Sequence, residues 1–288
     1  MPDPRLRPQQ APPLWALPVA VALALSWMLF ELPSFYQRQQ WKDGGWMRYV
    51  RVRLAAAQRS GADSSGTIVA LGTSVMRQAL RAEAMTDARG RSYRVVRLTR
   101  ESRDWDPAPI VAECLQVKPS VLLIEVNLLY LRQGPEMLFA YPWWGGVTRN
   151  LPRSDEGYLQ IYGAREVRPY DDHATSTADL RAEVVQMDGQ FRAPDDSLAP
   201  VLEKASRESV VAVLVDLMPR RRDWPVLSRD QLRKMDSGLD ALARRTGAHV
   251  LRCPFEDEDY VTLGHLSATG SARFEACLRE HLAEWLPQ

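Results

Sequence analysis

Five short apolar runs alternate along this chain with stretches of helical patterning, and that alternation restricts the fold more than anything else in the sequence. Thr67–Leu71, Ser92–Leu98, Ser120–Asn127, Ser209–Leu217 and Ala248–Cys253 are rich in Val, Ile and Leu. Because their apolar residues run on without a polar face, they read as strands buried on both sides. Between and after them, Val75–Ala84, Pro107–Gln116, Ser228–Thr246 and Ser267–Leu286 read as helices. The third has a serine cap and Gly247 just past its end. The last carries Phe274, Leu278, Leu282 and Trp285 on one face. Strands alternating with helices predict an α/β fold around a parallel sheet. No internal repeat or low-complexity tract interrupts it.

Composition excludes several function classes. The formal net charge of +1 on 288 residues offers no electrostatic footprint for nucleic acid. Three cysteines, Cys114, Cys253 and Cys277, are too few for a disulfide scaffold and leave at least one free thiol. A Cys253–Cys277 bridge requires an oxidising compartment. No Cys-x-x-Cys pair and no His/Asp/Glu cluster has metal-ligand spacing, so no cofactor is expected.

The first 63 residues read differently from the rest. Residues 1–12 form a short tail and 13–33 an apolar stretch, with Trp15 and Trp27 placed for interfacial belts. Roughly 20 such residues span a bilayer as a helix. A cleavable signal peptide is the rival, but 27–33 is too bulky for a cleavage site, which favours a retained transmembrane signal-anchor. Positive charges favour the opposite orientation to an exported domain: Arg5 and Arg7 precede the span, whereas Arg38, Lys42, Arg48, Arg51 and Arg53 follow it. A short tail before a single anchor is the usual layout of an exported, tethered domain. That predicts a single-pass protein of the cytoplasmic membrane, its main domain on the periplasmic or extracellular side. Residues 34–63 read as a membrane-proximal stalk and 64–288 as the main domain. Within that domain, about 131–207 is too long for a simple crossover and reads as an insertion on the sheet's functional edge.

The chemistry concentrates where the first strand ends. Gly72-Thr73-Ser74 places Ser74 at a strand-to-helix turn on the carboxyl edge of the sheet, where open α/β folds bind ligands. A serine there is a candidate nucleophile or, in the bland alternative, the helix cap. Of the four histidines, His249 lies in an apolar strand, His281 on the terminal helix and His173 in the insertion beside Asp172. His265 falls in a loop before the terminal helix, on the same edge as Ser74, and is the preferred base. Asn127 ends a strand on that edge and is a candidate oxyanion donor. Tyr141, Trp143 and Trp144 of the insertion are candidates for stacking on sugar rings, or for packing the insertion onto the core.

Gly72-Thr73-Ser74, Asn127 and His265-Leu266-Ser267-x-x-Gly270-x-x-x-Phe274 together resemble the blocks of the SGNH (GDSL-like) hydrolase superfamily. The resemblance implies a flavodoxin-like three-layer α/β/α domain. It makes Ser74 the nucleophile, His265 the base and Asn127 part of the oxyanion hole, with Arg77 where many members carry a substrate-side Arg or Asn. This chain departs from the pattern at three places. Thr73 replaces the first block's Asp. No glycine occurs in 97–110 for the second block. Thr262 stands where the family carries an Asp three residues before His265, leaving either a Ser–His dyad or one of Asp257, Glu258 and Asp259 to orient the imidazole, with Asp259 the one assigned. With the anchor, the chain resembles the tethered SGNH-like proteins that accompany membrane-bound O-acyltransferases. That implies acetyl transfer to, or removal from, an exported polysaccharide through a Ser74 acyl-enzyme, with the O-acyltransferase or a polysaccharide-synthesis complex as partner. A non-catalytic SGNH-like assembly protein, and a tethered lipase, are the alternatives.

Overall fold

The computed structural model describes residues 46–59, 64–100, 107–130, 196–218, 229–261 and 264–286, with a few helical residues between 18 and 25. The chain divides into two compact units, Met1–Trp46 with Pro142–Leu151 and Met47–Tyr141 with Pro152–Gln288. Of the first, only Trp46 and the helical residues between 18 and 25 are described, so most of the apolar stretch 13–33 lies outside the described residues. Among the described residues no helix is long and apolar enough to cross a membrane.

The second unit is a mixed α/β domain. Helix α1 covers 46–59, of which 47–59 lie in this unit. It is followed by β1 (Gly66–Gly72), α2 (Ser74–Ala79), β2 (Ala84–Thr86), β3 (Ser92–Thr99), α3 (Pro107–Leu115), β4 (Val121–Glu125) and α4 (Asn127–Tyr130). Then come α5 (Ala199–Arg207), β5 (Val211–Asp216), α6 (Arg229–Thr246), β6 (His249–Arg252) and α7 (Ala268–Trp285). The six strands lie in the order β2-β3-β1-β4-β5-β6. All pairs are parallel except β2–β3 at one edge.

Burial on both faces explains the unbroken apolar runs. Ile68, Ala70, Val121, Leu123, Val213, Val215 and Leu251 pack against Val75, Met76 and Ala79 of α2 and Phe274, Leu278 and Leu282 of α7. On the opposite side, α1 reaches α3 through Arg51–Glu113 at 3.1 Å and β3 through Arg94, which donates to the Ala57 carbonyl at 3.0 Å. The result is helix, sheet and helix in three layers. Without the antiparallel edge strand the parallel order is β3-β1-β4-β5-β6, the flavodoxin-like succession. Its direction of travel reverses between β1 and β4, and ligands of such sheets bind at the carboxyl ends of the strands on either side of that reversal.

Three local expectations change. The helix after β1 ends at Ala79 instead of running to Ala84, because Leu80 turns extended (φ −110°, ψ 92°) and the chain goes on into β2. Second, Asn127 does not close a strand but opens the short helix α4. Third, the end of the region read as an insertion, 131–207, contains α5, which belongs to the domain's own helical layer. The rest of that region, 131–195, lies outside the described residues.

Candidate active site

The turn after β1 is built by Thr73, Ser74 and a buried carboxylate from the neighbouring strand. Thr73 is the N-cap of α2, its hydroxyl accepting from the Val75 N–H at 3.2 Å. Capping thus falls to Thr73, and Ser74 is left at the first helical position. Glu125, the last residue of β4, is fully buried and lies across the reversal point from this turn. Its Oε2 accepts from the Thr73 N–H at 2.6 Å and the Met76 N–H at 3.1 Å. Its Oε1 accepts from the Thr73 hydroxyl at 2.8 Å. Gly72 is required by this close approach, since a Cβ there would lie 2.5 Å from Glu125 Oε2 and would also run into Met76.

These bonds account for nearly every amide of the turn. Thr73 and Met76 donate to Glu125, Val75 to Thr73 Oγ1, and Arg77 to the Thr73 carbonyl at 3.2 Å. The Ser74 N–H has no acceptor among the described residues. Burial pushes the Glu125 carboxyl above the ordinary glutamate range, and the hydrogen bonds from Thr73, Asn127 and Met76 pull it back only in part. Its partners in the turn, the Thr73 and Met76 N–H groups and the Thr73 hydroxyl, all donate to it.

His265 reaches Ser74 from the far end of the sequence. Its Nε2 lies 2.8 Å from Ser74 Oγ. The segment carrying it is pinned on several sides. Tyr260 and Leu266 form an antiparallel bridge, Val261 N–H donates to the His265 carbonyl at 2.9 Å, and Leu266 is buried in the core against α2. Gly264 lies against Val75, the residue after the candidate nucleophile; a Cβ there would stand 3.3 Å from Val75 Cγ2. The terminal helix is tied to α2 as well. Ser271 Oγ donates to the Ala79 carbonyl at 3.0 Å, and Glu275 Oε1 accepts from the N–H groups of Arg81 and Ala82, each at 2.8 Å. Gly270 is needed because a Cβ there would collide with the Asp259 carbonyl.

The other sequence candidates fall in different places. Asn127 is buried at 5% exposure. Its side chain hydrogen-bonds Glu125, while its Oδ1 has no partner among the described residues. Arg77 is buried on α2. Asp259 is fully buried, and its carboxylate is engaged elsewhere: Oδ2 accepts from the Glu256 N–H at 2.7 Å and pairs with Arg273 at 2.9 Å. Its Oδ1 has no hydrogen-bond partner among the described residues. Asp259 therefore closes the capping box of the short turn Asp257–Asp259 and makes no hydrogen bond to His265. His249, in the apolar strand β6, has an exposed ring stacked 5.1 Å from Trp285, and His281 stacks on that same indole at 5.3 Å. Tyr141, Trp143, Trp144, Asp172, His173 and Thr262 lie outside the described residues.

The residue that sequence reasoning passed over is Glu125. One signal pointed to it: an ionisable side chain ending an otherwise apolar, doubly buried strand, two residues before Asn127.

Neither a family model nor a curated protein matches the chain. A solved structure described as the crystal structure of TesA aligns with 76% of this chain and 99% of its own, at 14% identity and a TM-score of 0.37.

Proposed function

We propose that this chain is a serine-dependent acyl-transferring or ester-cleaving enzyme with Ser74 as nucleophile and His265 as base. The observation that carries this reading is the 2.8 Å approach of His265 Nε2 to Ser74 Oγ at the carboxyl edge where the sheet's direction reverses. In the proposed cycle, His265 takes the hydroxyl proton as Oγ attacks the acyl carbonyl. The resulting oxyanion is held by the Ser74 N–H and the Asn127 amide. His265 then protonates the leaving oxygen, and the ester to Ser74 remains. In the second half an acceptor hydroxyl or water gives its proton to His265 and attacks the acyl-enzyme. Ser74 regains its proton as the new ester or the free acid departs.

The finer reading is a membrane-tethered SGNH-like enzyme of exported-polysaccharide acylation, held by residues 13–33 and working beside a membrane-bound O-acyltransferase. The Cys253–Cys277 disulfide supports an exported location, because such bridges persist in oxidising compartments. In this reading Tyr141, Trp143 and Trp144 bind the glycan and Arg77 shapes the substrate side of the nucleophile turn. A non-catalytic scaffold is the second reading, and it draws on the commitment of Asp259 to Arg273 and Glu256. The full chain purified in detergent is expected to turn over p-nitrophenyl acetate, with loss of at least about 10³-fold in Ser74→Ala. Equal background turnover by both folded proteins would discard the enzyme reading in favour of the scaffold.

A further inference from the structure

Behind the candidate nucleophile sits one carboxylate that takes hydrogen bonds from Thr73 before it and Met76 beyond it in the turn. We propose that Glu125 is the positioning residue of the Ser74 site, its buried carboxylate fixing the nucleophile turn and both oxyanion donors at once. The proposal rests on the reading of Ser74 as nucleophile for its catalytic consequence, though not for the clamp itself. Glu125 Oε2 takes the amides on either side of Ser74's own, those of Thr73 and Met76, and Oε1 takes the Thr73 hydroxyl. That hydroxyl in turn accepts the Val75 N–H. With its neighbours' amides all engaged, the Ser74 N–H is the one left to face an incoming oxyanion. The same carboxyl bonds the side chain of Asn127, the other candidate donor, two residues further along its own segment. One carboxyl group thus sets the spacing between two donors that follow different strands, β1 and β4. Glu125 is shut off from solvent and Thr73 is nearly so, which leaves the carboxylate no role in touching substrate. Catalysis of this kind depends on donors held in place before charge develops.

The clamp and its consequence are separable by experiment. Glu125→Gln keeps one acceptor oxygen but turns the other position into a donor facing donors; Glu125→Ala removes every acceptor. Two readouts are made on the full chain in detergent. The first is amide hydrogen exchange of the peptide covering 72–78. The second is the rate of labelling by an alkyl fluorophosphonate, in which Ser74 Oγ bonds to phosphorus, fluoride leaves and His265 takes the hydroxyl proton. Exchange of 72–78 is expected to accelerate in Glu125→Ala with little change in the edge strands β2 and β6. Loss of donor alignment is expected to slow labelling about 10²-fold in that variant, with Glu125→Gln falling about tenfold, as for one lost hydrogen bond to a charged group. If Glu125→Ala fails to fold, Glu125→Gln carries both readouts. Wild-type exchange in a folded variant overturns the clamp, and lost protection with unchanged labelling overturns its positioning role. If the wild-type chain is not labelled at Ser74, the nucleophile reading falls, and the exchange result alone still decides whether Glu125 holds the turn.

Discussion

Replacing Gly72 by alanine puts a methyl group 2.5 Å from Glu125 Oε2 and into Met76. Neither neighbour has room to give, since Met76 and Glu125 are both fully buried. Gly72→Ala is therefore expected to lose about 1–3 kcal/mol, the usual range for forcing extra volume into a packed interior. Urea denaturation would measure that loss, and fluorophosphonate labelling should fall with it because the turn carrying Ser74 must shift. A Gly72→Ala protein with wild-type midpoint and labelling rate would show that the close approach of β4 to this turn is dispensable. At this scale the sequence was half legible. Ser74 and His265 were marked by residue type and by position after apolar strands. The capping role of Thr73 was not, because serine is at least as good a cap by residue type, and only the bonds of Thr73 to Glu125 and the Val75 N–H separate the two. Glu125 itself was hidden by its surroundings, four apolar residues of the same strand that made it read as part of a core segment. The hydrogen bonds of Asp259 were hidden for the opposite reason: three consecutive acids, Asp257, Glu258 and Asp259, give no pattern to say which one turns inward.

Short elements held by polar turns are the ones that periodicity misses. The antiparallel strand β2 has three residues, too few to show a period, and its existence depends on the turn that joins it to β3. Asp87 organises that turn. Its Oδ1 accepts the N–H groups of Arg89 and Arg91, each at 2.9 Å, and its Oδ2 accepts Arg91 Nε at 2.8 Å and the Tyr93 hydroxyl at 3.3 Å. Burial by itself would raise the Asp87 carboxyl, but the hydrogen bonds and charge of Arg91, with the Arg89 amide, outweigh it and hold the group below its ordinary value of 3.8. An acid held lower in the folded state stabilises the fold above that ordinary value, and the benefit disappears as pH falls toward the folded value. The wild-type protein should therefore lose thermal stability on acidification from pH 4 downward. Asp87→Asn should be less stable at neutral pH by about 1–3 kcal/mol, the cost of unmade buried hydrogen bonds, with a shallower acid dependence in that window. Parallel melting curves of the two proteins between pH 3 and 7 test this, and identical slopes would remove Asp87 from the acid response. The long elements were legible because burial repeats along them. β1, β4 and β5 are buried on both faces, and α7 buries Phe274, Leu278 and Leu282 along one stripe. The helix after β1 was overextended because Ala82 and Ala84 are good helix formers, and tertiary capture of Arg81 and Ala82 by Glu275 overrides that propensity.

Across the whole domain, the candidate site joins the first strand to the last helix, residues almost 200 positions apart. The alternation of strands and helices forecast the parallel sheet and hence the edge on which Ser74 and His265 meet. What it could not forecast was how the segment from β6 back to α2 is held, because that depends on individual polar and covalent ties. Cys253, just after β6, is bonded to Cys277 in α7, a separation of 24 residues, and His265 lies midway in the closed loop. The third cysteine, Cys114, is buried in α3, and burial pushes its thiol upward, so it is a poor partner for exchange. Closing a loop of that length removes unfolded-state entropy equivalent to roughly 3 kcal/mol. For a domain of this size that corresponds to a fall in melting temperature on the order of 10 °C when the bridge is absent. Cys253→Ser with Cys277→Ser should reproduce the effect of dithiothreitol on the wild type, and dithiothreitol should then leave the double variant unchanged. Labelling of Ser74 should slow in the unbridged protein even well below its melting point, because the loop that presents His265 has lost the tie between its ends. Unaltered labelling with a lowered melting temperature would mean that Gly264, Leu266 and the Tyr260–Leu266 bridge hold the imidazole without covalent help. The disulfide would then belong to the stability of the fold and have no part in the site.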